Sequence, residues 1–507
     1  MRPAVPERGL VELGRTRGGP ETLALLVRDQ DTRRLLLLRA VLDAADAAHP
    51  AVCSPARKAR LRDDWALLTD ADRPRPSDRP RPSGPSADHH RPSGPPADRR
   101  RPSAGHPYPA GAAHSPARER LFHPLTGPWA LSCLRGLDER GGPADEHRAR
   151  RLRQDLAHFS ALAAVAAARA GIPFTVRLTA RAGVLALPSL GALHTAARAD
   201  APVDVAHRDG RLTLRGPDAP DVVVHLESGI GAWSAALAWT PVRTLPGLLP
   251  ATAPLPLDDA DPYRTAPGPG HRGLSGPAVL DDTDHKRWLQ AWSGAEAALR
   301  SGGAHRVAEA LTLLRCLVPL ESPPGADGRD SCSATRHEAF GALLASPPQD
   351  AVALAATLVH ELHHAKLAAL ADLVTLHHAD PEARYFAPWK TGPRPYDALL
   401  QGAYSHLALA DYFQHRALVA APPDAAYAWS RHARYRAQVK AALPALVGSP
   451  DLTVRGRRFV DEMAAAYERM AEHPAPRSHT ARAEAYVKAA RALWTQRHTP
   501  ALPRPKE

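Results

Sequence analysis

Leu358-Val359-His360-Glu361-Leu362-His363-His364-Ala365-Lys366-Leu367 is the stretch from which the rest of the chain is read. It carries H-E-x-x-H inside a long apolar segment of helical character. Four residues on a helix are just over one turn, so His360 and His364 project from one face, one above the other. Two imidazoles at that spacing can grip one divalent metal ion, and Glu361 beside them can move protons or tune the site. His363, at i+3, competes with His364; we favour His364 and read His363 as a supporting or surface residue.

Working outward, Ala339–Ala345 reads as a short apolar strand leading into Ser346-Pro347-Pro348-Gln349. Serine as N-cap, proline at the first helical position and glutamine three residues on resemble a capping box, which predicts a metal helix over 347–377. His377-His378 would then cap its C-terminus. A second helix is expected from Tyr396 to about Leu418, with further helices at 425–444, 454–472 and 480–496. Upstream, helices are expected at 21–48, 56–70, 144–171, 283–300 and 303–317. Phe174–Leu178, Val184–Leu187, Arg211–Leu214 and Val222–His225 are short apolar runs separated by Gly, Pro and Asp, read as strands, and 241–276 reads as loop. The fold class is α+β and mainly helical, with the metal helix packed on a ligand-bearing downstream helix and a small β-rich region.

Residues 71–113 break this pattern. A ten-residue Arg-Pro-Ser-Gly-Pro repeat at Arg81 and Arg91 has almost no apolar content, so we read a disordered linker inserted between an N-terminal helical part (1–70) and a helix plus β-rich region (114–275). The metal-binding helical region would follow at 276–507. His89-His90 belongs to the linker reading.

Composition excludes several classes. The chain of 507 residues is 44% hydrophobic, enough for a large core. Its net charge of +12 comes from arginine spread along the whole length, without a lysine- and aromatic-rich strip, so no nucleic-acid platform is expected. Cys53, Cys133, Cys316 and Cys332 form no C-x-x-C pair, which argues against a disulfide scaffold or a zinc knuckle. No apolar run suits a signal core or a membrane span, and a cytoplasmic location is the default expectation.

Two histidines do not complete a site. The metzincin continuation is absent after His364, and Glu382, the nearest gluzincin-type carboxylate, lies in a loop. His406 stands mid-helix among small and apolar residues, with Gly402 one turn earlier to let this helix approach the metal helix closely, and is the candidate third ligand. Glu361 and Asp411 are the carboxylate alternatives, and His377, His378 and His415 are weaker ones.

The run Leu358–Leu367, with Tyr385-Phe386-Ala387-Pro388-Trp389-Lys390, Arg394-Pro395 and Leu400-Gln401-Gly402-Ala403-Tyr404-Ser405-His406, resembles the H-E-x-x-H family of 2-oxoglutarate-dependent peptide β-hydroxylases. His123-Pro124-Leu125, Trp129, Gly183, Leu187-Pro188 and Phe340-Gly341 extend the likeness upstream. The resemblance implies iron(II), 2-oxoglutarate and O2 as cofactors and a ribosomally made precursor peptide as substrate, in pathways that often include a radical-SAM enzyme. Arg394, then Lys390, is the expected anchor for the distal carboxylate of 2-oxoglutarate. Tyr385, Trp389 and Tyr404 are candidate pocket walls. Ser331, Ser333 and Thr335 precede the strand that leads into the metal helix, and in many H-E-x-x-H folds such a strand lines the substrate cleft and pairs with an extended peptide. The alternative reading is a zinc metallopeptidase with Glu361 as general base.

Overall fold

The computed structural model describes residues 4–73, 115–138, 146–217, 219–227, 231–265, 276–322 and 332–498. The chain opens with helices α1 (Glu7–Gly14), α2 (Pro20–Ala47) and α3 (Pro55–Asp72), followed by α4 (Pro116–Leu121), α5 (Thr126–Leu137) and α6 (Glu146–Arg169). Strands β1 (Phe174–Ala180), β2 (Val184–Leu187), β3 (Gly191–His194), β4 (Ala201–Arg208), β5 (Arg211–Arg215), β6 (Val222–Leu226), β7 (Ala232–Trp233), β8 (Trp239–Pro241), β9 (Arg243–Leu245) and β10 (Leu255–Leu257) come next. Helices α7 (Asp282–Ser293), α8 (Ala295–Ser301) and α9 (Ala304–Leu313) lead to β11 (Cys316–Pro319), β12 (Ser333–Ala334) and β13 (Ala342–Ala345). The C-terminal half is helical: α10 (Ala351–Leu373), α11 (Tyr396–Val419), α12 (Asp424–Leu446), α13 (Val454–Arg469) and α14 (Arg477–His498). The fold is α+β and mainly helical.

Three large cores organise most of these elements, with smaller clusters between Leu125 and the β11–β13 strands and between α12 and α14. The largest surrounds α10 and α11 and draws in Leu10 and Leu13 of α1, Trp288 of α7 and Phe459 of α13. A second lies among α2, α3, α5 and α6. The third covers the opposite side of α6 with the inner faces of an antiparallel sheet, ordered β1-β4-β5-β6-β7, and a three-stranded sheet, ordered β2-β3-β8. The strand β4 reads Ala-Pro-Val-Asp-Val-Ala-His-Arg, and its alternately buried side chains are the period-two pattern of a half-covered sheet. A mixed sheet, β12-β13-β11-β10-β9, leads the chain into α10, with β11 parallel to both β10 and β13.

Several boundaries differ from the sequence expectations, each for a physical reason. The capping box at Ser346 does not form. Pro347 precedes another proline, whose ring disfavours the α conformation at position 347. Asp350 is the N-cap instead, accepting from the Ala353 amide at 2.8 Å. The Ser346 hydroxyl turns back to accept from the Cys332 amide at 3.0 Å. At the other end α10 stops at Leu373, and His377-His378 do not cap it. They run alongside 451–453 instead: His377 bridges to Leu452 and the His378 amide donates to the Asp451 carbonyl. The expected helix 283–300 is broken at Gly294, where an added Cβ would come within 2.8 Å of the Ala351 side chain. The expected helix 303–317 ends at Leu313 because 316–319 pairs with β13. The expected loop 241–276 contains β9 and β10, and α1 was not anticipated. The repeat segment and Ser331 lie outside the described residues, apart from residues 71–73 at the end of α3 and its C-cap.

Candidate functional site

Helix α10 is buried nearly all round, so its low polarity reflects a core helix rather than an amphipathic one. One stripe stays partly open. Ala353, Thr357, His360, His364 and Ala368 recur at helical spacing and are each only half-buried. His360 and His364 stand in the middle of it.

Their Nε2 atoms are 3.2 Å apart. Two imidazole nitrogens bound to one tetrahedral metal ion at about 2.0–2.1 Å are separated by roughly 3.3 Å. The pair therefore has the spacing of two ligands. His364 Nδ1 is 3.2 Å from Gln401 Oε1, an outer partner that fixes the ring and leaves Nε2 with its lone pair. Gln401 was not foreseen as a site residue.

The ring of His406 on α11 lies 5.6 Å from that of His360, centroid to centroid. Trp389 packs edge-on against it at 4.5 Å and Tyr435 of α12 at 5.2 Å. Gly402 makes this possible: a Cβ there would be 2.5 Å from the Trp389 ring. Burial drives the His360 imidazole well below its usual range and that of His406 down to about 3, so both are neutral at neutral pH, as ligands must be. The Nδ1 atoms of His360 and His406 are buried without a hydrogen-bond partner. Among the described residues no three His, Cys, Asp or Glu side chains stand closed at metal-coordinating spacing. The residues offer a metal a two-histidine pair with a third imidazole adjoining it, and a three-ligand set is not closed among the described residues.

Glu361 lies beside the histidine pair and is tied to β12. Its Oε1 is 3.9 Å from His360 Nε2 and accepts a 2.6 Å hydrogen bond from Ser333 Oγ on β12. Thr335 also hydrogen-bonds the carboxylate. Burial pushes the Glu361 carboxyl up, and these hydrogen bonds oppose that rise. Ser333 and Thr335 thus hold Glu361. β12 is the edge of its sheet, with β13 on one side.

The opposite face of α10 is closed by buried charge. Lys366 Nζ is 2.8 Å from Glu309 Oε1, Arg306 Nη1 is 3.2 Å from Glu309 Oε2, and Arg306 Nη2 is 2.8 Å from Asp411 Oδ2. Asp411 is therefore committed to Arg306 and is withdrawn as a ligand candidate. His363 is fully buried here, not on the surface. Arg306 can only donate, so His363 Nε2 accepts from it at 3.0 Å and Nδ1–H donates to the Val359 carbonyl at 2.6 Å. Arg306 also donates to the Thr16 carbonyl at 3.0 Å, which fastens the N-terminal segment to this face. Tyr404 faces the same side, bonding the Leu13 carbonyl at 2.7 Å, and is core rather than pocket wall.

The segment between α10 and α11 brings Arg394 back against Tyr385 through paired backbone hydrogen bonds. Arg394 is half-buried, with its Nε lacking a partner; Lys390 is exposed. Tyr385 packs on Tyr396 at 5.7 Å. Glu382 is exposed and pairs with Arg384, His377 lies 3.6 Å from Asp397, and His415 bonds the Asp411 carbonyl, so none of these joins the histidine pair. Cys53, Cys133 and Cys316 are buried thiols. No helix among the described residues is long and apolar enough to cross a membrane.

No protein-family model matches the chain. Over 285 residues, 50% of this chain, it is 29% identical to the spectinabilin polyketide synthase system protein NorB of Streptomyces orinoci. That stretch is 12% of the NorB length, so the chain spans about an eighth of this relative.

Proposed function

We propose that the chain is an iron(II)- and 2-oxoglutarate-dependent oxygenase that hydroxylates a side-chain Cβ of a ribosomally made precursor peptide. The observation that carries this reading is the position of Glu361. A metallopeptidase needs this carboxylate free to take a proton from metal-bound water. Here it is buried, and Ser333 and Thr335 occupy it. An imidazole set with open positions suits non-haem iron.

Iron(II), when bound, would couple the oxidation of 2-oxoglutarate to succinate and CO2 with delivery of one oxygen atom of O2 to a peptide C–H bond. His360 and His364 would hold the ion, and His406 would complete the set, steadied by Trp389. Arg394 would grip the distal carboxylate of 2-oxoglutarate through its two-donor fork, with Lys390 at the rim. The edge of β12, which pairs with no further strand among the described residues, supports binding of an extended peptide by strand addition beside the histidine pair. A radical-SAM enzyme of the same pathway is the proposed functional partner.

The test is Glu361→Gln in protein purified anaerobically, given iron(II), 2-oxoglutarate and O2 with short peptides encoded beside its gene. Glutamine can still accept from Ser333, so succinate formation and oxygen gain by the peptide should stay within about tenfold. Loss of a general base costs about 100- to 10,000-fold. Peptide cleavage with zinc, without 2-oxoglutarate and abolished by this substitution, would replace the oxygenase with the metallopeptidase.

A further inference from the structure

A cleft of about 970 Å³ lies on the β-rich side of the molecule, and none of its lining residues belongs to α10 or α11. Its floor is the outer face of the three-stranded sheet. Val184 pairs with His194, Ala186 with Ala192, and Ala192 with Thr240, so these five side chains share one face. The other face, with Leu185, Leu187, Leu193 and Trp239, is buried in the third core. One wall is a stripe of α6: Arg150, Arg153, Gln154, Ala157, His158 and Ala161 recur at intervals of three and four residues. The facing wall comes from 259–264, Arg243 and Leu280.

The charge of this cleft is one-sided. Arg57, Arg150, Arg153, Arg181, Arg243 and Arg264 line it against Asp200 and Asp259. Among the described residues Arg153 and Arg243 are paired only with Glu146 and Asp282, which are 84% and 86% exposed. Such surface pairs are weak and exchange readily for a better anion. Among the described residues the Arg57 guanidinium has no ion-pair partner. A guanidinium cluster on an apolar floor, in a volume typical of small-molecule sites, recognises a ligand with an anionic head and an apolar body. Arg150 is already paired with Asp200 at 3.1 Å, which leaves Arg57 on α3 and Arg153 on α6 as the guanidiniums open to a head group, and two of them match a doubly charged head better than a singly charged one. Residues 74–114 of the chain itself carry seven arginines against three aspartates, the wrong sign to fill the site.

We propose that this cleft binds a phosphate-bearing molecule with an apolar body, independently of the chemistry at His360. Titration calorimetry on the full chain with octyl phosphate, octanoate, octyl glucoside and inorganic phosphate tests it. Octyl phosphate should bind saturably and at least about tenfold more tightly than the other three. Arg57→Gln with Arg153→Gln should weaken it about tenfold or more, with unchanged circular dichroism. Ala186→Trp, which fills the floor, should abolish it while leaving inorganic phosphate weakly bound. Octanoate binding equally well, octyl phosphate binding unaltered by either variant, or no saturable binding at millimolar concentration would each overturn the proposal. Tight binding of an acidic peptide in place of octyl phosphate would overturn it too, in favour of a protein partner.

Discussion

Gly402→Ala should loosen the metal site without touching a metal ligand. The added methyl would sit 2.5 Å from Trp389 Cζ2 and 2.7 Å from its Cε2 and Nε1. Ordinary carbon contacts are about 3.5–4.0 Å, so the indole must retreat by about 1 Å. Two effects then compete. Alanine gains up to about 1 kcal/mol over glycine inside a helix. Forcing extra volume into a packed core costs about 1–3 kcal/mol. The balance is a net loss of about 0–2 kcal/mol, and the displaced ring no longer backs His406, which it contacts at 4.5 Å. Two measurements report this. Cobalt(II) titration, followed by visible absorption, should show weaker binding than wild type by about tenfold. The fluorescence contributed by Trp389, isolated by subtracting a Trp389→Phe variant, should shift to longer wavelength. A more stable variant with unchanged cobalt affinity and emission would show that the helix gain prevails and that Trp389 does not steady His406.

His364→Ala should abolish cobalt binding, and Gln401→Leu should weaken it about 10- to 100-fold by removing the group that orients His364; full occupancy in either case would remove that residue from the site. Glu309→Ala leaves Lys366 and Arg306 short of a buried counter-charge and should cost about 3–5 kcal/mol in chemical denaturation, with the added change Lys366→Met recovering part of the loss. If the single variant unfolds like wild type, the cluster is not a structural element. Burial, with the charge of Asp258 beside it, lifts the Asp261 carboxyl to about 7. A carboxyl that holds its proton more tightly folded than unfolded stabilises at low pH, and that contribution fades as pH rises from about 4 through 7. Asp261→Asn should therefore lose less thermal stability than wild type between pH 5 and 8; parallel curves would refute the shift. Arg394→Ala should raise the KM for 2-oxoglutarate far more than that for peptide, and an unchanged ratio would reject its assigned role.

What could be read from the sequence was local. The spacing of His360 and His364 within one helix follows from helix geometry alone, whereas Gly402, expected to let its helix approach the metal helix, faces the Trp389 ring instead. The alternation in 201–208 was equally readable and was passed over because proline and aspartate interrupt its apolar run. What escaped depends on residues distant in sequence. Ser346-Pro347-Pro348-Gln349 imitates a cap, but the proline pair excludes it and Cys332 claims the serine. His377 and His378 looked like helix-end residues until 451–453 supplied their partners. His363 and Asp411 carried the same local credentials as the site histidines, and only Arg306 and Thr16 reveal that they face the other way.

The hold of the first residues on the C-terminal half also bears on the order of synthesis. Thr16 and Leu13 leave the ribosome long before Arg306 and Tyr404, and Arg15 waits for Glu462. Contacts of such sequence separation form late and slowly. The segment around Leu13–Thr16 must stay unclaimed, or be sheltered by a chaperone, until the segments carrying Arg306, Tyr404 and Glu462 have emerged. The rear of α10 cannot neutralise its buried charges before then, so the histidine pair on its front should be among the last parts of the protein to become rigid.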